Sequence, residues 1–176
     1  MSFLRKVEAS IVLSKLKKAL STSEAYAILD EGVEGADTWL SGGCFLLAKV
    51  LVKLFPSAKM IVLMGVTKEQ EAQHFAPQPQ HALVKIDNSF VDGDGVSSER
   101  SLLQRWKKYE GMVGKCWVEA FDATKHKADY IVLANTPVFK KAELKLAEYL
   151  SWKLAVEKKP LERIPPPAKK RKKSPK

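Results

Sequence analysis

The stretch SGGCFLLAKVLVKLFP, residues 41–56, decides how the rest of the chain is organised. It places a cysteine after two glycines and continues with residues that are apolar on almost every side of a helix, interrupted by Lys49 and Lys53. A helix that is apolar all round belongs inside a protein, and Pro56 would end it. The sequence therefore predicts a buried helix over residues 45–55, with Cys44 at its N-terminus.

The residues after this helix predict β-strands. Residues 59–66 contain a continuous apolar run typical of a buried strand, and residues 67–80 are expected to form a polar, proline-bearing loop. His81 begins the next strand in this prediction. Residues 81–86 and 89–92 then form a β-hairpin around a short turn.

Helical patterns lie on both sides of these strands. The predicted helices are a basic amphipathic one over residues 1–20, a short one capped by Ser21 or Ser23, one capped by Ser97 or Ser98, and one that starts at Thr136-Pro137 and ends near residue 157. Further short strands are predicted over residues 116–121 and 130–133. This order of elements favours an α+β fold, in which a central buried helix packs on a small antiparallel sheet with flanking helices.

The end of the chain differs in composition from the rest. Residues 1–159 are predicted to form a single domain, and residues 160–176 a disordered tail rich in proline and lysine. The formal net charge is +10, and six of the positive charges lie in the basic run over residues 169–176. This tail suits non-specific contact with nucleic acid or a nuclear import signal, and it equally suits a solubilising terminus.

Several functional classes lack support in the sequence. No run reaches the roughly 18 apolar residues of a transmembrane helix, and the N-terminal pattern suits a core-facing helix better than a membrane-docking one or a signal peptide. The two cysteines lie in different contexts, which predicts free thiols and a cytoplasmic location. No phosphate loop, dinucleotide fingerprint or short-spaced Cys/His pair predicts a cofactor or a metal. His74 and His126 are expected to lie at the surface.

Cys44 is the first candidate for chemistry. A cysteine attacks as its thiolate, and a helix N-terminus lowers a thiol pKa because its free N–H groups favour negative charge. Gly42 and Gly43 would let another chain approach closely, and the backbone amide of Cys44 could donate to an oxyanion. A buried structural cysteine is the alternative. Cys116, in a strand-like context, is predicted to be a packing residue.

The hairpin would supply a base and a carboxylate. If its loop has two or four residues, His81 faces Asp94, Leu83 faces Asp92, and all four point to one face of the sheet. Asp92 is then the diagonal neighbour of His81, whereas an odd loop would turn Asp92 to the opposite face. The alternatives are an ordinary hydrogen-bonded strand histidine and a tight turn after residue 92.

Three segments together carry a resemblance to a known superfamily. SGGCFLLA at residues 41–48, QHALVK at residues 80–85 and FVDGDG at residues 90–95 resemble the papain-like cysteine hydrolases and transferases, with their Cys, His, Asp order. Within that superfamily the chain is similar to NlpC-type, transglutaminase-like and arylamine N-acetyltransferase-like proteins, and most of all to small papain-like domains of bacterial toxin-type and phage proteins. The likeness covers about residues 36–98.

The resemblance implies a function and a role for each residue. Cys44 would be the nucleophile, His81 the general base and acid, and Asp92 the group that orients His81, with Asp94 as its substitute. The implied activity is hydrolysis or acyl transfer at an amide, isopeptide or thioester of a protein or peptide-like substrate, without a cofactor. One alternative is a catalytically inactive papain-like module that binds a protein or nucleic acid with help from the tail. Another is a tail-driven nucleic-acid binder in which these residues are structural.

Overall fold

The computed structural model describes residues 15–126 and 134–154. Within these residues the predicted α+β class is confirmed, with six helices and a five-stranded antiparallel sheet. The helices are α1 (Leu16–Leu20), α2 (Ser23–Gly32), α3 (Cys44–Leu54), α4 (Lys68–Ala72), α5 (Glu99–Tyr109) and α6 (Pro137–Lys153). The strands are β1 (Lys59–Thr67), β2 (Gln78–Ile86), β3 (Ser89–Asp92), β4 (Gly95–Ser97) and β5 (Met112–Ala120).

The sheet has the order β4-β3-β2-β1-β5, and every neighbouring pair is antiparallel. β1 pairs with strands on both sides and is buried from residue 61 to residue 66, as its continuous apolar sequence predicts. The predicted hairpin has a two-residue loop, because Ile86 pairs with Ser89 and Lys85 with Phe90. Asp87, in that loop, adopts a φ of 54°, which aspartate tolerates better than most residues.

The two faces of the sheet contact different helices. Ala82, Val84 and Val91 pack in one apolar cluster with residues of α1, α2, α3 and α6. Leu63 and Leu83 pack in a second cluster with Leu102 and Trp106 of α5. The alternation of side chains along β2 sends neighbouring residues to opposite clusters, so helices on both faces of the sheet pack against this strand.

Helix α3 is the buried helix that its sequence predicts. Most of its residues are buried, and Phe55 ends it just before the proline. The two lysines that interrupt its apolar sequence have a partner: Lys49 Nζ lies 3.3 Å from Glu143 Oε2, and Lys53 contacts the other oxygen of the same carboxylate. Glu143 is buried on α6, so the lysines neutralise a charge that would otherwise be costly inside the protein.

Several sequence predictions are wrong in detail. Residues 67–80 are not one loop, because the side chain of Thr67 accepts from Gln70 N and that of Gln70 accepts from Thr67 N, a capping box that starts α4. Strand β2 begins at Gln78 rather than at His81. Helix α2 is capped by Thr22, not by a neighbouring serine, whereas Ser98 caps α5 as predicted. Strand β4 was not predicted, and β5 begins four residues before the predicted segment.

Other predictions fall outside the described residues. These are most of the N-terminal helix over residues 1–20, the strand over residues 130–133, the end of the last helix near residue 157 and the tail over residues 160–176. The division into a domain over residues 1–159 and a tail therefore stays a prediction. In residues 15–126 and 134–154, no helix combines the length and the apolar character needed to cross a membrane.

Candidate active site

Cys44 is the first residue of α3, and only 7% of it is exposed. The two glycines before it serve the protein's own loop rather than a second chain. Gly42 has a φ of +85°, a left-handed conformation that favours glycine. A Cβ on Gly43 would lie 2.9 Å from the carbonyl oxygen of Thr38, which already accepts a hydrogen bond from Gly43 N at 3.0 Å. These contacts fix the turn that brings the chain into the helix.

His81 and Asp92 lie just beyond the end of the β2–β3 ladder, whose last pair is Val84 and Val91. His81 Nε2 is 3.4 Å from Asp92 Oδ2. On its other side, β2 pairs with β1, and the register of that pair shifts at Gln80, immediately before His81. Such bulges are common beside functional sites because they redirect a side chain.

The two candidate carboxylates, Asp92 and Asp94, lie in different environments. Asp92 lies beside His81 and is 2% exposed, whereas Asp94, predicted to face His81 directly, is more exposed and contacts Lys17 and Arg105. The backbone N–H of Asp94 donates to Asp92 Oδ1 at 2.9 Å, so the turn after β3 holds the Asp92 carboxylate. The predicted substitute is therefore a neighbour of the site rather than the partner of His81.

His81 is completely buried, with an exposure of 0%. Its ring lies 4.5 Å from that of Trp106, between centroids. Neither ring nitrogen makes a hydrogen bond of normal geometry with the described residues, so the approach to Asp92 is an ion-pair contact rather than a well-aligned hydrogen bond. A buried histidine in this state needs an explanation, since buried polar groups are nearly always hydrogen-bonded.

Arg105 is the residue of this site that the sequence analysis missed. Its Nη2 contacts Asp92 Oδ2, and its Nη1 lies 3.2 Å from Asp94 Oδ2. The helical pattern held one signal: Arg105 follows the core residue Leu102 by three positions, which puts an arginine on the inner side of α5. An arginine placed there needs a buried or half-buried carboxylate nearby.

The pKa shifts favour the charged form of all three groups. Burial raises the pKa of the Cys44 thiol, but the contact with His81 and backbone hydrogen bonds from Ala82 and Phe45 outweigh it, and the net pKa is lowered. Burial lowers the pKa of His81, yet Asp92 and Cys44 raise it overall to about 9. Burial likewise opposes ionisation of Asp92, but His81 and Arg105 hold its pKa below the ordinary value. The shifts therefore all run toward thiolate, imidazolium and carboxylate.

A cavity of about 280 Å³ adjoins this set. It is lined by Leu40, Asp94, Arg105, Trp106, Tyr109 and Glu110. Trp106 and Arg105 contact both the cavity and the His81–Asp92 pair, so α5 forms the wall between them. A ligand in this cavity would lie against the helix that covers the histidine.

The remaining histidines and the second cysteine lie elsewhere. His74 is exposed, as predicted. His126 is not at the surface, since it is only 2% exposed. Its Nδ1 accepts a hydrogen bond from Asp122 N at 2.8 Å, and its Nε2 lies 2.6 Å from Glu119 Oε1. Cys116 packs against the cluster under α5, and both cysteines are free thiols.

Within the described ranges, no group of three or more His, Cys, Asp or Glu residues is arranged to hold a metal ion. A thiolate at a helix N-terminus beside an imidazolium is the arrangement that activates a cysteine nucleophile. Comparisons of this chain with protein-family models, with curated proteins and with solved structures found no match.

Proposed function

We propose that this protein is a cysteine hydrolase or acyltransferase in which Cys44 is the nucleophile, His81 the proton carrier and Asp92 the group that orients His81. One observation carries the proposal: a cysteine at a helix N-terminus is coupled to a fully buried histidine that also lies beside a buried carboxylate. Structural histidines are normally hydrogen-bonded at both nitrogens, and His81 is not.

In the first half of the reaction, the Cys44 thiolate attacks the carbonyl carbon of an amide, isopeptide or thioester. The carbonyl oxygen becomes an oxyanion, which the backbone N–H groups at the start of α3 would stabilise. The imidazolium of His81 donates its proton to the leaving amine or thiol as the bond to carbon breaks. The products are an acyl group on Cys44, a free leaving group and a neutral His81.

In the second half, neutral His81 takes a proton from water or from an acceptor amine, whose oxygen or nitrogen attacks the thioester carbon. The Cys44 sulfur leaves as a thiolate, and His81 is again an imidazolium. Asp92 stabilises that cation throughout and keeps the ring oriented. The cycle needs no cofactor. It has the roles expected from the papain-like resemblance, and a protein or peptide-like substrate fits those roles.

A second candidate function is favoured by the burial of the same residues. Cys44 is almost inaccessible and Trp106 covers the His81 ring, so the described conformation is closed to a substrate. A papain-like module that binds a partner without turnover would keep this closed arrangement. The basic tail could add non-specific contact with nucleic acid, and deletion of residues 165–176 should then abolish a salt-sensitive binding that the full chain shows.

Trapping the acyl intermediate separates the two candidates. The full chain would be incubated with a small aryl thioester, and intact mass and peptide mapping would locate the acyl group. We expect one acyl group on Cys44, absent in Cys44→Ala and unchanged in Cys116→Ser. Acylation that is absent, or that is equal on both cysteines, would contradict the enzyme proposal and favour the binding module.

A further inference from the structure

A single oxygen of Asp92 has two positively charged neighbours. Oδ2 is contacted by Arg105 Nη2 and lies 3.4 Å from His81 Nε2. Its other oxygen accepts the backbone N–H of Asp94. The carboxylate therefore does not serve His81 alone, because the same oxygen also contacts the Arg105 guanidinium.

Arg105 is itself held in place by a second carboxylate. Its Nη1 lies 3.2 Å from Asp94 Oδ2, and Asp94 Oδ1 lies 3.2 Å from Lys17 Nζ of α1. The charged and titratable groups around His81 are thus Cys44 from α3, Asp92 from β3 and, through Asp92, Arg105 from α5. Lys17 reaches only the outer carboxylate.

We propose, on the basis of the function proposed above, that Arg105 is a positioning residue that shares Oδ2 of Asp92 with His81 and thereby limits how strongly His81 holds its proton. An unshared buried carboxylate would stabilise the imidazolium more strongly. His81 must be neutral to remove a proton from the second substrate, so an imidazolium that is too stable would slow release of the acyl group from Cys44. Arg105 thereby balances proton donation by His81 in the first half of the cycle against proton removal by His81 in the second half.

This role predicts the sign of a measurable change. In Arg105→Gln, the positive charge leaves Asp92 Oδ2, and the carboxylate acts on His81 alone. The pKa of His81 should rise by at least about half a unit. If Arg105 only anchored Asp92, its loss would let the carboxylate move away, and the pKa of His81 would fall instead.

The experiment is an NMR titration of the His81 ring in the full chain, with its resonances assigned by comparison with His81→Gln. The wild-type protein, Arg105→Gln, Arg105→Lys and Lys17→Gln would be compared. Lys17→Gln is the matched control, because it removes the same charge from the network without contacting Asp92. We expect a raised pKa in Arg105→Gln, a smaller rise in Arg105→Lys, which keeps the charge but not the two-pronged contact, and no shift in Lys17→Gln.

An unchanged or lowered pKa of His81 in Arg105→Gln would overturn the proposal, as would an equal rise in Lys17→Gln. If Arg105→Gln does not fold, Arg105→Lys decides, and an unchanged or lowered pKa in that variant also overturns it. The titration needs no turnover, so its result is independent of the acylation experiment. A failure to acylate Cys44 would count against the proposed enzymatic function. A pKa of His81 that does not rise in Arg105→Gln would count against the proposed role of Arg105.

Discussion

His81 and His126 are both buried, and each lies beside a carboxylate and an aromatic ring, yet they differ in how their nitrogens are used. His126 is saturated: Nδ1 accepts a backbone N–H and Nε2 meets Glu119 Oε1 at 2.6 Å, while its ring stacks on Phe121. His81 has no hydrogen bond of normal geometry to the described residues at either nitrogen. The first histidine is fully used in holding its turn, whereas the nitrogens of the second have no such partners, as the proposed proton transfer requires.

The comparison shows that burial alone does not identify a functional histidine. What distinguishes His81 is the combination of burial, nitrogens without a hydrogen bond of normal geometry to the described residues, and a thiol partner. Burial lowers its pKa, but Asp92 and Cys44 raise it overall to about 9. The carboxylates differ in the same way, since Asp92 is buried and bound by Arg105 whereas 38% of the Glu119 side chain is exposed. The predictions below test this contrast, beginning with the largest effect.

The two histidines should differ most in their effect on acylation. Replacing His81 with glutamine removes the proposed proton carrier and should lower the rate of Cys44 acylation by about 10²–10⁴-fold, the usual contribution of a positioned acid–base group. His126→Gln is the matched control and should leave that rate within about twofold, because the ring has no contact with Cys44. The rates would be followed by intact mass after addition of an aryl thioester. A similar loss of acylation rate in His81→Gln and His126→Gln would contradict the proposed difference between the two histidines.

The two carboxylates should differ in their contribution to stability. Asp92→Ala leaves the buried imidazolium and Arg105 without their partner, and should lower the free energy of unfolding by about 3–5 kcal/mol. Glu119→Ala removes a more exposed partner and should cost about 1 kcal/mol or less. Urea denaturation of both variants measures the difference. Equal losses would mean that Asp92 is no more deeply integrated than Glu119.

The stability of the protein should depend on pH through His81. The pKa of His81 is raised in the folded state, so its contribution to stability is complete below the unfolded value near 6.5 and is lost as the pH rises through about 9. The full loss would be at most about 3 kcal/mol. Urea denaturation from pH 6 to pH 9.5 should therefore show a difference in the free energy of unfolding between wild type and His81→Gln, and this difference should change steadily across the window. A difference that is constant with pH would contradict the raised pKa.

Parts of the fold follow directly from local sequence. The all-round apolar run after Cys44 predicts a buried helix because no other environment suits it, and the short turn at Asp87 predicts the hairpin. The register depended on the loop length, which the structure shows to be two residues. The register then brings His81 and Asp92 to the same end of the sheet. In this respect the candidate site was predictable from three short segments.

Other parts depend on contacts between distant segments and were missed. The helical pattern puts Arg105 on the inner side of α5, but Arg105 reaches Asp92 only because α5 packs on the sheet beside β3, a contact between segments that are distant in the sequence pattern. His126 stands among lysines, a pattern typical of the surface, but the turn after β5 folds it back onto Glu119 and Phe121. The capping box at Thr67 was a local signal, and it was overlooked because the surrounding residues are polar.

The most direct test of the central claim is the rate of iodoacetamide alkylation at each cysteine against pH, in wild type and in His81→Gln. Cys116 is an internal reference, because it is more exposed than Cys44 and would react first if access alone governed the rate. We predict that Cys44 reacts faster than Cys116 at pH 6, where an ordinary thiol of pKa about 8.5 is almost entirely protonated, and that this advantage disappears in His81→Gln. Faster labelling of Cys116 at pH 6, or a Cys44 rate that does not change when His81 is replaced, would contradict the thiolate–imidazolium pair.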